Sequence, residues 1–403
     1  MRTAWLTVAV LIVGCGSTPK TPPPAPVFST VSGAPTAGTA LPSNSLTLAA
    51  DVRRFGISSE GNLIVSLDDS TWEYTGGELV QRTLYAESGE PTSLGAVSSI
   101  GPRNGAGAWL SAANGLYELD GFYVTRSPLT PGQVRAAYEQ PSGLMQGLWL
   151  ATDQGLVYRT PSATTGFTID GSKDATQVVV EPMGGNALAV FGGTLYRVTL
   201  TGDSMSAEQV PMTVGEVRGL AASTGNLYAA TPIGLVRWNA SLSPTWQVIT
   251  LAADGAQLSL DAVATDPVSG MVWALAGGQV IQIDGTTATS YAQGAGHAIA
   301  VDQLGDVWLM NGAQLTRLQS SVSGTPVSFA SAVQPFISAN CTMCHADFTT
   351  YDVFKTKAPD ALRRVSSGDM PRCSGGIPCP ADQHLKPDQY SVLEQWIRGG
   401  MQP

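Results

Sequence analysis

Charged residues and histidines are scarce in this sequence. Only 13% of its 403 residues are charged and only three are histidine, whereas glycine contributes 45 residues and proline 26. Such a composition argues against long charged helices and favours many turns and short strands. His297 is the single histidine between residues 46 and 325, and one histidine in an apolar strand cannot define a metal site. We therefore interpret His297 as a structural residue.

Further absences narrow the function. No nucleophile elbow, P-loop or calcium-loop pattern occurs between residues 46 and 325. The formal net charge is −10, and the acidic excess lies in this same stretch. An acidic surface repels phosphate backbones, so the composition argues against nucleic acid as a partner.

The N-terminus carries an export pattern. Arg2 precedes an apolar run over residues 4–13, which is too short to span a bilayer and is typical of a secretory signal. The run leads into "VGC", and the segment "IVGC" resembles the lipobox of bacterial lipoproteins. That resemblance implies cleavage before Cys15, a lipid on its sulfur and stable membrane anchoring. Residues 1–15 are thus expected to be a lipoprotein signal peptide with a lipidated Cys15. By analogy, Gly16 favours the outer membrane, with the protein facing the periplasm or the cell surface.

Residues 16–45 read "GSTPKTPPPAPVFSTVSGAPTAGTALPSNS". Proline, threonine, serine, alanine and glycine dominate, and there is too little apolar bulk to form a core. We interpret this segment as a disordered tether that lifts the folded part away from the membrane.

A repeat organises residues 46–325. Compare "GLWLATDQGLVYR" from residue 147, "GNLYAATPIGLVRW" from 225 and "GMVWALAGGQVIQI" from 270. Each copy is a short apolar strand, a tight turn and a second alternating strand, which predicts a β-hairpin. Another strand precedes each hairpin, and an outer strand would complete four per repeat.

Aligning the copies gives one column that is usually tryptophan or tyrosine and recurs about every 41 residues, the period of one propeller blade. Its members are Ile64, Trp109, Trp149, Ala189, Tyr228, Trp273 and Trp308. We expect these side chains to pack between adjacent blades rather than to bind a ligand. Seven copies predict an all-β seven-bladed propeller, although six or eight blades also fit because two copies are weak. The copies resemble the short propeller repeats of bacterial sensor and periplasmic proteins.

Residues 326–403 have a different pattern. Helical periodicity appears in "FASAVQPFISANC" and in "KPDQYSVLEQWIRGG", each with an apolar stripe on one face. The first predicted helix leads directly into Cys341, Cys344 and His345, a CxxCH motif expected by chance on the order of 5 × 10⁻⁴ times in this composition. Two thiols at this spacing add to the vinyl groups of haem, and the adjacent histidine becomes an axial ligand of the iron.

Zinc is the alternative reading of the cysteines. Cys341, Cys344, Cys373 and Cys379 would supply four thiolates, but the second pair has five intervening residues where zinc motifs usually have two to four. Export to an oxidising compartment instead favours a disulfide between Cys373 and Cys379. We therefore prefer one covalent haem c.

The motifs "NCTMCH", "RRVSSGDMPR" and "LEQWIRGG" together resemble a class I c-type cytochrome over about residues 330–403. The resemblance implies a small all-α domain with Cys341 and Cys344 bound to haem, His345 as the proximal iron ligand and Met370 as the distal ligand. Met401 and His384 are competing distal ligands. Met401 is disfavoured because a chain end tends to fray.

The resulting expectation is a membrane-anchored periplasmic monohaem c-type cytochrome lipoprotein. It would transfer electrons or sense redox state, and the propeller would dock a redox partner protein or bind a small-molecule ligand. The alternative is a quinohaemoprotein-type dehydrogenase in which the propeller is catalytic. That site needs clustered charged and metal-binding residues at one mouth of the ring, which the low charge content disfavours. We expect an electron carrier or binding protein rather than an enzyme, with no catalytic residue assigned.

Overall fold

The computed structural model describes residues 27–366, 387–398, 401 and 403. Within these ranges it leaves out the following loop segments: 59–61, 69, 76–77, 104–106, 121–122, 128–131, 141–146, 161–163, 169–173, 182–185, 203, 211–214, 224, 240–244, 254–255, 267–268, 286, 293–295, 303–304, 320–326 and 343–344. No helix in the described part of the chain has the length and apolar character needed to cross a membrane.

Strands dominate the chain up to residue 318. Three strands come first: β1 (Val27–Gly33), β2 (Thr36–Ala37) and β3 (Ser43–Thr47). Blade 1 contains β4 (Arg54–Ile57), β5 (Leu63–Ser66), β6 (Thr71–Thr75) and β7 (Glu78–Arg82). Blade 2 contains β8 (Leu84–Ala86), β9 (Pro91–Thr92), β10 (Val97–Pro102), β11 (Ala108–Ala112), β12 (Gly115–Asp120) and β13 (Tyr123–Arg126).

The next two blades have four strands each. Blade 3 contains β14 (Val134–Glu139), β15 (Leu148–Thr152), β16 (Gly155–Arg159) and β17 (Thr164–Phe167). Blade 4 contains β18 (Ala175–Val180), β19 (Asn186–Phe191), β20 (Thr194–Thr201) and β21 (Ser204–Gln209).

The last three blades complete the series. Blade 5 contains β22 (Gly219–Ser223), β23 (Asn226–Thr231), β24 (Gly234–Asn239), β25 (Thr245–Ala253) and the short β26 (Ala256–Gln257). Blade 6 contains β27 (Ala262–Thr265), β28 (Val272–Ala276), β29 (Gln279–Asp284) and β30 (Thr287–Tyr291). Blade 7 contains β31 (Ala298–Val301), β32 (Val307–Asn311) and β33 (Gln314–Leu318).

The blades form a closed ring. The innermost strands β4, β10, β14, β18, β22, β27 and β31 each contact the innermost strand of the next blade, and β31 contacts β4. The aligned aromatic column lies on the second strand of every blade, and all seven of its side chains are buried. The described residues therefore confirm the predicted seven-bladed all-β propeller, including the two weak copies.

The ring is closed by a strand from the other end of the chain. Blade 7 has the order β3-β33-β32-β31, so the N-terminal strand β3 supplies its outer strand. Upstream, β1 pairs in parallel with the outer strand of blade 5 and β2 with that of blade 6. Residues 27–45 thus differ from the disordered tether expected from their composition. An outer sheet edge offers free backbone N–H and C=O groups, and a segment can pair with them without apolar bulk of its own.

Glycines allow the tight turns between the second and third strands. Gly155 has φ +118° and Gly234 has φ +122°, a region that side chains with a Cβ rarely adopt. A Cβ on Gly155 would lie 2.4 Å from the carbonyl oxygen of Phe167, and one on Gly234 would lie 2.3 Å from that of Ile249. These two turns therefore require glycine.

A separate helical unit follows the propeller. It contains a π-helical turn (Phe329–Val333), α1 (Gln334–Asn340), a 3₁₀ turn (Ala346–Thr349), α2 (Tyr351–Ser366) and α3 (Pro387–Arg398). The helices predicted before the CxxCH motif and at the C-terminus are present, and α2 is additional. One apolar cluster joins them, with Phe336, Ile337, Phe354, Leu393 and Trp396 buried at its centre.

Candidate haem-attachment site

Cys341 lies at the C-terminal end of α1. Its backbone N–H donates a hydrogen bond to the carbonyl oxygen of Ile337 at 2.8 Å, which continues the helical turn up to the thiol. The side chain is half-buried against the apolar cluster of the helical unit. Burial raises the pKa of the Cys341 thiol to about 11, because the thiolate would lose hydration there. The sulfur is therefore a neutral thiol on an apolar surface.

His345 is held one turn further along the chain. Its backbone N–H donates to the carbonyl oxygen of Cys341 at 2.9 Å, so the thiol and the imidazole belong to one compact loop. The imidazole is half-buried and stacks on Phe348, with ring centroids 4.4 Å apart and planes 8° apart. Within the described part of the chain, no side-chain hydrogen bond to the imidazole is present. Stacking on Phe348 therefore restricts the plane of the imidazole.

Aromatic residues link this loop to the helical core. Phe348 contacts Phe354 of α2 at 5.2 Å between ring centroids, and Phe354 stacks on Trp396 of α3 at 6.0 Å. Phe354 and Trp396 are fully buried. The imidazole thus stacks on Phe348, which packs on the next helix, α2, and through Phe354 is linked to α3.

Met401 is fixed, contrary to the expected fraying of the chain end. It is 7% exposed and has φ +54°. Its N–H donates to the carbonyl oxygen of Trp396 at 2.9 Å, and its own carbonyl accepts the Tyr351 hydroxyl at 2.9 Å. The expected fraying is therefore not seen at Met401, whose side chain belongs to the apolar cluster of the helical unit; the choice between Met370 and Met401 as distal ligand stays a prediction.

The other expected site residues lie outside the described residues. They are Cys15, Cys344, Met370, Cys373, Cys379 and His384. Within the described ranges, no group of three or more histidine, cysteine or acidic side chains is arranged to hold a metal ion. The proposed lipidation, the distal ligand, the disulfide and the four-thiolate zinc alternative all depend on residues of this set and stay predictions.

The chemistry of the two described groups fits haem c. A neutral thiol on an apolar surface and an imidazole stacked on Phe348 lie four residues apart in the chain. Thioether attachment uses a cysteine sulfur, and axial ligation uses a histidine nitrogen. The apolar cluster beside them would cover a flat hydrophobic macrocycle.

Some charged residues of the propeller link adjacent blades, and others pair within one blade. At the mouth where the innermost strands begin, arginines of blades 1, 3 and 5 reach the start of the next blade. The contacts are Arg54 Nε to the Ser98 carbonyl oxygen at 2.8 Å, Arg135 Nη2 to Asp174 Oδ1 at 2.7 Å, and Arg218 Nη1 to Asp261 Oδ1 at 2.6 Å. His297 begins blade 7 at this mouth and is exposed, so its side chain does not belong to the core.

A buried polar network joins blade 7 to blade 1. Asp302 accepts from Trp308 Nε1 at 3.0 Å, and Asp306 accepts from Arg317 Nε at 3.0 Å. Arg317 Nη1 then donates to the Tyr74 hydroxyl of blade 1 at 3.1 Å. Burial and the Asp306 carboxylate raise the pKa of Asp302 to about 7. We call this network, formed by Asp302, Trp308, Asp306, Arg317 and Tyr74, the seam. No local pattern in the sequence predicts the seam, because its partners are brought together only when the ring closes.

Comparison with known proteins identifies the fold alone. No family profile and no curated protein matches the chain. The structure of the Neurospora crassa Pan2 WD40 domain is similar, with a TM-score of 0.55 at 11% identity. The match covers 72% of this chain and 100% of the Pan2 domain. YCF48 bound to D1 peptide matches with a TM-score of 0.51 at 14% identity, over 73% of this chain and 100% of that one.

A bacterial sensor protein gives a similar result. The extracellular domain of a putative one-component system from B. thetaiotaomicron matches with a TM-score of 0.52 at 16% identity. The match covers 72% of this chain and 41% of that one, so the chain spans less than half of that protein's length. These neighbours support a β-propeller.

Proposed function

We propose that the protein is a membrane-anchored monohaem c-type cytochrome lipoprotein that transfers electrons or senses redox state, with the propeller as its docking or ligand-binding module. The observation that carries the proposal is the pair Cys341 and His345. It presents a neutral, half-buried thiol and an imidazole stacked on Phe348 beside an apolar cluster. Haem, when bound, would supply one-electron redox chemistry at this loop.

The residues of the helical unit have distinct roles in this proposal. Cys341 and Cys344 hold the group covalently through their sulfurs, and His345 ligates the iron. Phe348 restricts rotation of the imidazole, because the two rings are stacked nearly parallel. The buried rings of Phe354 and Trp396 exclude water from the side of the loop that faces the core. Met370 is proposed as the distal ligand, as in the class I cytochromes that the sequence resembles.

The charges of the propeller support a docking or scaffold role over a catalytic one. A quinone-type cofactor would need charged residues free to bind it at one mouth of the ring. Arg135 is 2.7 Å from Asp174 and Arg218 is 2.6 Å from Asp261, so these arginines already serve to join adjacent blades. The dehydrogenase alternative has no such supporting observation.

The decisive experiment is expression with a cytochrome c maturation system. We expect a haem-stained band that survives denaturing electrophoresis and a reduced-minus-oxidised absorbance spectrum with the sharp bands of a c-type haem. Cys341→Ala and Cys344→Ala should each reduce covalent attachment, and His345→Ala should abolish the native spectrum.

Ser338→Ala is the matched control, since Ser338 is an exposed residue of α1 outside the motif. It should leave both readouts unchanged. Purified protein that contains stoichiometric zinc and no covalent haem would overturn the proposal in favour of the zinc site.

A further inference from the structure

The strand directions define two faces of the propeller. All seven innermost strands belong to equivalent blades and run the same way through the ring. We call the side where they begin the start face and the side where they finish the end face. In blade 7, Ala298 lies at the start face and Val301 at the end face.

The chain leaves the propeller toward the helical unit at the end face. Val301 pairs with Val307, Val307 with Leu318, and Leu318 with Ser43, so these residues form one row across blade 7. Leu318 ends the last strand in this row. Helical packing begins at Val327, nine residues on. A chain of that length reaches at most about 32 Å, so the helical unit begins within that distance of Leu318 at the end face.

The chain also enters the propeller at the end face. In blade 5, Val27 pairs with Thr245, which pairs with Asn239 of the neighbouring strand. Asn239 pairs with Asn226, and Asn226 with Ser223, the last residue of the innermost strand. Val27 therefore lies at the end face, beside the rim of blade 5.

The proposed lipid anchor is close to this point. Cys15 and Val27 are twelve residues apart. A fully extended chain of twelve residues spans at most about 43 Å. A compact unit of the size of residues 327–403 is about 30 Å across, from the scaling of radius of gyration with length. A tether of that length can leave room for the helical unit between a lipid surface and the end face.

From these strand registers, we propose that the end face is turned toward the membrane and that the helical unit lies between it and the lipid surface. This inference rests on the proposed lipidation of Cys15 and the proposed haem in the helical unit. The haem would then exchange electrons with a partner in or on the same membrane. The start face, with its Arg–Asp links, would point away from the lipid.

Fluorescence energy transfer to lipid tests the orientation. Full-length, lipidated and haem-loaded protein is reconstituted in vesicles with an acceptor-labelled phospholipid. Donor labels are attached to the cysteines of two variants, Thr287→Cys and Ala292→Cys. Both positions are exposed, and they lie at opposite ends of β30 in blade 6, at its first residue and directly after its last. Donor lifetimes are measured with and without acceptor lipid in each variant, and the transfer rate to lipid is taken as the difference of the reciprocal lifetimes, so that the decay rate added by haem cancels.

We expect higher transfer from position 287, at the end face, than from position 292. Insertion of twenty Gly/Ser residues between Lys20 and Thr21 should lower transfer from both labels and reduce their difference. Equal transfer from the two labels, or higher transfer from position 292, would overturn the orientation.

Two controls separate this result from the proposed function. Vesicle binding that persists in Cys15→Ser would refute lipid anchoring, and absence of a covalent haem band would refute the cytochrome proposal. The orientation itself is read from the two labels in the wild-type anchor background.

Discussion

Asp302, in the seam between blades 7 and 1, leads to a quantitative prediction of how the free energy of unfolding depends on pH. Asp302 is 5% exposed, and its pKa is raised from 3.8 to about 7 by burial and by the Asp306 carboxylate. A rise of about three pH units, at about 1.4 kcal/mol each, corresponds to about 4 kcal/mol of folding free energy. The protein should therefore be more stable when Asp302 is protonated.

The sign of this pH dependence follows from comparing the protonation of Asp302 in the folded and unfolded states. Below pH 3.8 the carboxyl group is protonated in both states, and its contribution to stability is fully present. As the pH rises toward about 7, only the unfolded chain releases the proton, so the contribution is lost. Asp302→Asn removes this titration while keeping an acceptor for Trp308 Nε1. The difference in unfolding free energy between variant and wild type should move by about 4 kcal/mol in favour of the variant from pH 4 to pH 8.

Urea unfolding followed by circular dichroism at pH 4, 6 and 8 measures this difference. The comparison with wild type cancels the titration of every group that does not interact with Asp302; Asp306 is electrostatically coupled to Asp302 and therefore contributes to the measured difference. Asp68→Asn is the matched control, because Asp68 is exposed and its hydrogen bond from Arg53 lowers its pKa. Because Asp68 titrates at or below pH 3.8 in both states, the stability difference between that variant and wild type should stay nearly constant from pH 4 to pH 8. Parallel pH profiles for Asp302→Asn and wild type would refute the assignment of a proton to this carboxyl group.

Three further predictions concern the seam and the helical unit. Arg317→Met leaves the buried Asp306 carboxylate without its cation and should cost about 3–5 kcal/mol in propeller unfolding by urea; an unchanged midpoint would contradict it. Trp396→Ala empties a fully buried site and should cost about 3–5 kcal/mol, seen as a lower calorimetric transition of the helical unit alone. Met370→Ala should alter the axial-ligand spectrum and lower the reduction potential, whereas Met401→Ala should mainly lower stability; the reverse pattern would make Met401 the ligand.

Local patterns were sufficient to predict most of the fold. Trp273 and Trp308 recur at the blade period because every blade buries the same strand position against its neighbour, so each copy repeats the same side-chain requirement. The apolar stripe around Ile337 is likewise a local signal of a packed helix. The spacing of Cys341 and His345 is fixed within five residues, which is why a motif reveals it.

Other features were not predicted because their causes are distant in sequence. Strand β3 closes blade 7 through backbone hydrogen bonds, which leave no apolar pattern in the segment itself. Fraying was expected at Met401 because no neighbour in sequence fixes it. The Tyr351 hydroxyl, which donates a hydrogen bond to the Met401 carbonyl oxygen, lies fifty residues earlier. Blade 1 supplies Tyr74 to the seam, 243 residues before its partner Arg317.

The sequence by itself determined the propeller repeat, the helical unit and the CxxCH motif, because periodicity and short spacing are properties of neighbouring residues, whereas it left six to eight blades open. Only the tertiary structure decided which segment closes the ring, that Asp302 is buried beside Asp306, and that the chain enters at Val27 and leaves at Leu318 on one face. These depend on contacts between residues far apart in the chain, whose proximity is set by closing the ring. The physical reason is that a propeller's edges and seams exist only once all seven blades are in place.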